Sequence, residues 1–442
     1  MSIENAECIQ LTKGLIRFLQ DSPTSFHAVA NIAGILREAG FTELHEGEKW
    51  ELKKNRSYFV TRNQSSILSF RIPAGTCGGY QIMASHSDSP TFKIKENPEM
   101  ESEGHYIRLN VEKYGGMLCA PWFDRPLSVA GRLVVKAGNC LVSKLVKVDR
   151  DLLMIPNLAI HFNRQVNDGY KYNPQVDMIP LFGGHDSKGT FMKLVAEAAG
   201  VHEEDILGHD LFLYSRMPGT IWGAGNEFFS CGRIDDLQCA FASLKGFLES
   251  EPAEGIAVHA VFDNEEVGSG TKQGADSTFL MDTLRRISTG LGRDEEAYLM
   301  ALASSFMISA DNAHAVHPNL PDRADPTNRP YMNQGIVIKY NANQKYTTDA
   351  VSAAMFKTLC QRAGVPFQTF ANRSDMPGGS TLGNISNAHV SLNTVDIGLP
   401  QLSMHSPYET AGVKDTCYLT KAAAHFYSAC IRAGEGGCYE VV

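Results

Sequence analysis

Residues 255–270 read GIAVHAVFDNEEVGSG. The first eight form an almost unbroken apolar run, the pattern of a strand covered on both faces in the middle of a parallel sheet. The run passes straight into Asp263, Asn264, Glu265 and Glu266, then into a Gly-rich turn. Ligands of open α/β sheets bind at such strand ends. Two neighbouring glutamates there repel unless a cation or a proton relieves them. Adjacent side chains diverge, so one can hold a metal while the other faces water beside it. A solvated acidic turn is the plain alternative.

Downstream, Leu237, Phe241, Leu244 and Leu248 lie at helical spacing over 237–248, residues 335–340 and 390–395 resemble further strands, and 414–433 reads as a closing amphipathic helix. Upstream, Ile9, Leu15, Ile16 and Leu19 mark a helix broken at Ser22-Pro23. Strands follow at 66–72 (SILSFRI) and 79–85 (GYQIMAS), joined by a Gly-rich turn at 75–79. From about residue 93 to 219 the texture changes to short strand-like runs, such as 131–135 and 140–148, broken by Asn, Gly and Pro. A chain of 442 residues exceeds one ordinary core. The expected architecture is an α/β domain of residues 1–92 and 220–442, interrupted by an all-β insertion of 93–219.

The net charge of -9 argues against a nucleic-acid surface, which needs clustered Lys and Arg. No run approaches the ~20 apolar residues of a membrane helix, and the N-terminus lacks the pattern of a signal peptide. The ten cysteines are scattered singly, Cys77 among them, without a CxxC pair. Reduced, mostly buried thiols of a cytoplasmic protein are the expectation.

Four further segments carry candidate ligands. His86 and Asp88 (MASHSDSP) end an apolar strand, where residues two apart share a face and the carboxylate can orient the imidazole. Asp235-Asp236 precedes a helix that either could also cap. Asp311, His314 and His317 fall within seven positions, and His405 stands in MHSPYE beside Glu409. Each alone has a plain structural reading. With the glutamate turn at 263–270 they offer two histidines, one bridging aspartate and two further carboxylates, a set that suits two divalent cations about 3.5–4 Å apart.

HSDSP, PWFDRPLSVAGR, IPNLAIHFNR, SCGRIDD, FDNEEVGSG, SADNAHAVHPN and MHSPYE run in this order from about residue 80 to 410. In this they resemble the M18 metallopeptidases, the family of aspartyl aminopeptidase and yeast vacuolar aminopeptidase I. The resemblance implies a mixed-sheet, phosphorylase/hydrolase-like zinc-peptidase domain interrupted by a β-rich dimerisation domain, with dimers assembling into a tetrahedral dodecamer. It implies metal ligands at His86, Asp235, Glu266, Asp311 and His405, with Asp235 bridging two ions and a cis peptide between Asp235 and Asp236. Glu265 falls at the general base and Asp88 at the partner of His86. His161 matches a histidine that reaches the substrate from a neighbouring subunit. The substrates implied are peptides with a free N-terminus. Zinc is the default metal, and cobalt or manganese can support turnover in such sites.

The chemistry implied is hydrolysis with Glu265 moving the proton of the attacking water to the leaving amine. Two other readings share the ligand set: a two-metal amidohydrolase acting on N-acylated small molecules, and a non-catalytic oligomeric shell. The latter predicts loss of a ligand or of Glu265, and none is lost. The aspartyl branch favours acidic first residues, which calls for a cation in the pocket. Lys339 and Arg373 lie in the relevant segments, and Met376 stands in 372–379 (NRSDMPGG) where that branch has a smaller residue.

Overall fold

The computed structural model of the chain describes residues 3–75, 78–252, 254–433, 436 and 438–441. Ile256–Phe262 is buried along its whole length. It pairs in parallel with Tyr80–His86, which runs parallel to Phe306–Ala310, and that strand parallel to Asn393–Gly398. These four make the middle of a nine-stranded sheet. Ser66–Ile72, Arg56–Arg62 and Thr42–Leu44 extend one side, Ile336–Tyr340 and Phe367–Ala371 the other. The sheet is mixed, because Ser66–Ile72 and Ile336–Tyr340 run antiparallel to their inner neighbours.

Helices cover both faces. Ala257 and Val261 join one core with residues of helices Ile3–Asp21, Ser25–Glu38, Ile234–Glu249, Ala350–Arg362 and Val413–Ser428. Val258, Ala260 and Phe262 join the opposite core, closed by Phe279–Gly290 and Glu295–Ala303. Successive residues of a strand face opposite sides, so a strand between two helical layers leaves no position for a solvated side chain. Each fully buried Val, Leu or Phe stabilises the layer by roughly 1.5–3 kcal/mol. The polar exception, His259, is fully buried, stacks on Phe247 at 5.8 Å and lies 3.3 Å from Ser69 Oγ.

A second, antiparallel sheet draws all six strands from residues 91–215, in the spatial order Cys140–Lys147, Leu127–Ala137, Ile206–Ser215, Thr91–Ser102, Tyr106–Tyr114, Leu181–Gly184. It has its own apolar core, which includes Phe92, Leu109, Val129 and Leu211. The all-β expectation for this stretch needs a correction. Helix Phe191–Ala199 puts Phe191 and Val195 into that core and stops at Gly200, whose φ of +64° is left-handed.

A small third sheet joins Thr220–Trp222, Phe228–Cys231, Glu409–Gly412, Pro400–Leu402 and Ala313–His314. It pairs Cys231 with Glu409, which brings the chain before Asp235 beside the chain after His405. Two boundaries differ from the sequence reading. The strand expected at 390–395 is Asn393–Gly398, and the last helix ends at Ser428, after which Ile431–Ala433 pairs with Tyr439–Val441. Cys77, and some of the turn read at 75–79, lie outside the described residues. The nine other cysteines are free and six of them are buried. No helix among the described residues is long and apolar enough to cross a membrane.

Candidate metal centre

The parallel strands deliver their ends to one edge. His86 is the last residue of Tyr80–His86, Glu266 lies in the 3-10 turn Glu265–Val267 after Ile256–Phe262, and Asp311 follows Phe306–Ala310. Asp235 comes from the opening of helix Ile234–Glu249. That opening is irregular: Asp235 and Asp236 have non-helical dihedrals, the peptide between them is cis, and no side chain caps the helix. Capping therefore does not account for either aspartate. His405 stands in the turn before Glu409–Gly412, with a left-handed φ of +67°.

The five residues converge as two groups that share one member. His86, Asp235 and Asp311 offer ligand atoms within 4.8 Å of one another, as do Asp235, Glu266 and His405. His86 Nε2 lies 3.4 Å from Asp235 Oδ1 and 3.8 Å from Asp311 Oδ1. His405 Nε2 lies 3.5 Å from Asp235 Oδ2 and 3.4 Å from Glu266 Oε2. The two oxygens of Asp235 thus serve different groups. Ligands about 2.1 Å from a tetrahedral ion are separated by roughly 3.4 Å, whereas a charge-assisted hydrogen bond spans about 2.8 Å. The spacing fits ligands placed around an ion. Asp235 Oδ1 and Glu266 Oε1 are also buried without a hydrogen-bond partner among the described residues, a costly state for an anion unless a cation meets it. The donor set fits divalent ions, each group offering three side chains of the types that bind them.

The electrostatics agree. Burial opposes charge on His86, yet the carboxylates of Asp235, Asp311 and Asp88 around its ring outweigh it and raise its pKa well above the ordinary value. Burial also pushes Asp235 up, but His405 and His86 hold it below the usual carboxylate range. Burial pushes Glu265 up to about 8, with His86 opposing and Asp311, Asp88 and Asp235 adding to the shift. Glu266 is raised by burial and by Asp235.

Supporting residues tie the ligands down. The backbone carbonyl of Asp88 lies 3.1 Å from His86 Nδ1, its carboxylate 3.4 Å away, so Asp88 meets His86 through both. Sequence reasoning did not reach Asp236 and Glu409 as supports. Asp236 Oδ2 accepts the N–H of His86 at 3.1 Å. Glu409, fully buried, accepts the N–H of Asp235 at 3.1 Å and of His405 at 2.8 Å. Its proximity to His405 in MHSPYE was the available signal.

The five residues and Glu265 line a cavity of about 130 Å³ with His314, Lys339, Tyr346, Phe370 and residues 379–381. Lys339 is buried, with its Nζ 3.4 Å from Asp311 Oδ2. Arg373 lies apart from this cavity, half-buried and paired with Asp375 at 2.8 Å. His317 is exposed and hydrogen-bonds Asn319. His161 is exposed in a loop and does not line this cavity of its own chain.

The model of the family described as Aminopeptidase I zinc metalloprotease (M18) matches residues 18–427. This chain belongs to the M18 family. It is a metallo-aminopeptidase, a hydrolase acting on N-terminal residues. Among its M18 relatives, a protein of Clostridium acetobutylicum named Probable M18 family aminopeptidase 2 is 49% identical over 428 residues, 95% of this chain and 99% of that one. The structure of the Ape4 and Nbr1 complex superposes with a TM-score of 0.93 at 35% identity, covering 96% of this chain and 86% of that one. The S. cerevisiae mApe1 dodecamer gives a TM-score of 0.83 at 27% identity, covering 94% and 96%.

Proposed function

We propose that this M18 aminopeptidase works with two divalent ions, zinc by default, held by His86, Asp235, Glu266, Asp311 and His405. The observation that carries this reading is the sharing of Asp235 between two groups at coordination spacing. When bound, such ions supply Lewis acidity to the attacking water and to the scissile carbonyl. Glu265 lines the cavity without belonging to either ligand group, so its carboxylate is free to move protons. It takes the proton from the attacking water and delivers it to the leaving amine. Asp88 holds His86 in its ring orientation.

The buried ammonium of Lys339 supports a preference for acidic first residues, since it places a positive charge in the wall of the cavity. Arg373, which does not line the cavity, is dropped from this role. Residues 93–219 serve as a dimerisation domain, and the chain assembles as a dodecamer, as the related mApe1 does. Leu158, Ile160 and Phe162, at 60%, 48% and 81% exposure, flank His161. Such an apolar patch marks a surface that a partner covers. From it His161 of one chain reaches the substrate of another and stabilises the developing oxyanion.

Glu265→Gln tests the core of this proposal. It removes the proton carrier and leaves both ligand groups intact, so metal content stays at two ions per chain while kcat falls by about 10²–10⁴. A variant with near-normal turnover removes Glu265 from the mechanism. Substrates with Asp, Glu, Leu and Lys in first position test Lys339: equal kcat/KM across the four discards the acidic preference.

A further inference from the structure

The metal centre is not built by the α/β sheet alone. Tyr114 ends strand Tyr106–Tyr114 of the six-stranded sheet, and its ring meets Phe212 edge-on at 5.7 Å. Its hydroxyl donates to Asp88 Oδ2 at 2.7 Å and accepts from Asn264 Nδ2 at 2.9 Å. The same Asp88 carboxylate accepts the backbone N–H of Glu265 on Oδ1 at 3.1 Å and that of Glu266 on Oδ2 at 3.2 Å. The residues after Tyr114 touch two of the ligands. A Cβ on Gly115, whose φ is +75°, would stand 3.1 Å from Glu266 Cβ, and the N–H of Leu118 donates to the carbonyl of His405 at 3.1 Å.

We infer that Tyr114 is a positioning residue of the reaction: the six-stranded sheet fixes the Glu265–Glu266 turn through the Tyr114 hydroxyl and the Asp88 carboxylate. The inference rests on the reading of Glu265 as proton carrier and Glu266 as ligand. Donors from both the inserted sheet and the glutamate turn hold the Asp88 carboxylate in one rotation. With the hydroxyl removed, the carboxylate can turn and the glutamate turn loses its anchor. Displacements near 1 Å at a reacting centre cost up to about a hundredfold in rate. The inserted sheet therefore has work at the centre of its own chain, separate from any role in assembly.

Tyr114→Phe deletes one oxygen and keeps the ring contact with Phe212. At saturating zinc, kcat is expected to fall about tenfold with KM within about twofold, and the zinc Kd of the apoprotein to weaken about tenfold. If kcat and zinc Kd stay within about twofold of the parent while only the unfolding temperature drops, Tyr114 serves packing and the inference is overturned. Gly115→Ala is the second variant, should the first fail to fold; it presses on Glu266 and is expected to weaken zinc binding, and wild-type zinc affinity there also overturns the inference. The zinc Kd separates this test from that of Glu265, because Glu265→Gln leaves the ligand groups untouched.

Discussion

Asp235 is the residue on which both ligand groups depend, since one carboxylate oxygen faces His86 and the other His405. An amide has a single acceptor oxygen, so Asp235→Asn cannot serve both. Metal analysis of that variant is expected to give fewer than two ions per chain, with activity lost in step; two retained ions would remove Asp235 from its bridging role. The pairing of His86 with Asp88 was legible from their spacing, but not its form, because the strand stops at His86 and the Asp88 carbonyl makes the nearer contact. His259 carries a different consequence. Burial lowers its pKa from 6.5 to about 4, and burial lowers that of His27 to about 4 as well, with Lys147 and Arg233 adding to it. Between these values these two imidazoles bind protons in the unfolded chain and not in the folded one, so their contribution to stability falls on acidification. For His259 the loss is about 2 kcal/mol between pH 7.5 and pH 5. Buried carboxyls raised to about 8, such as Asp415, act in the opposite direction over this range, so the test is a difference. Between pH 7.5 and pH 5 the parent should lose about 2 kcal/mol of stability relative to His259→Gln in denaturant unfolding, and an equal change in both assigns no part of the pH dependence to His259.

Among the elements, those with a long period read correctly. The apolar strand 255–262 and the helix over 237–248 appear as Ile256–Phe262 and Ile234–Glu249. Helix Phe191–Ala199 was missed because nine residues between strands give periodicity too little length to register. Contact between helices was also out of reach. A Cβ on Gly246 would stand 2.6 Å from Ala423 Cβ and 2.7 Å from Thr420 O, so helices Ile234–Glu249 and Val413–Ser428 meet where Gly246 has no side chain. Gly246→Ala gains helix propensity on the order of 1 kcal/mol but must push the two helix backbones apart, and overpacking costs typically about 1–3 kcal/mol. A net loss of stability is expected by chemical denaturation, and a more stable variant refutes the close approach.

The molecule as a whole brings the strand ends of the nine-stranded sheet to the end of strand Tyr106–Tyr114 of the six-stranded one, where Tyr114 meets Asp88. Its assembly is tested at this scale: light scattering of the intact protein should return twelve chains per particle, and Phe162→Asp, on the exposed loop beside His161, should shift the protein to smaller species with lower kcat. A monomer of full activity contradicts both the assembly and the role given to His161. By itself the sequence determined the α/β class, the strand ends that carry His86, Glu266 and Asp311, and the acidic character of the site, because apolar runs and the carboxylates that end them are local properties of the chain. That Asp235 and His405 meet those ends was implied by the family resemblance and by no local pattern, whereas the support from Glu409 and Asp236 and the arrival of Tyr114 from the six-stranded sheet came from the fold alone. Such encounters join residues far apart along the chain, and no period in the sequence encodes which distant edges pair.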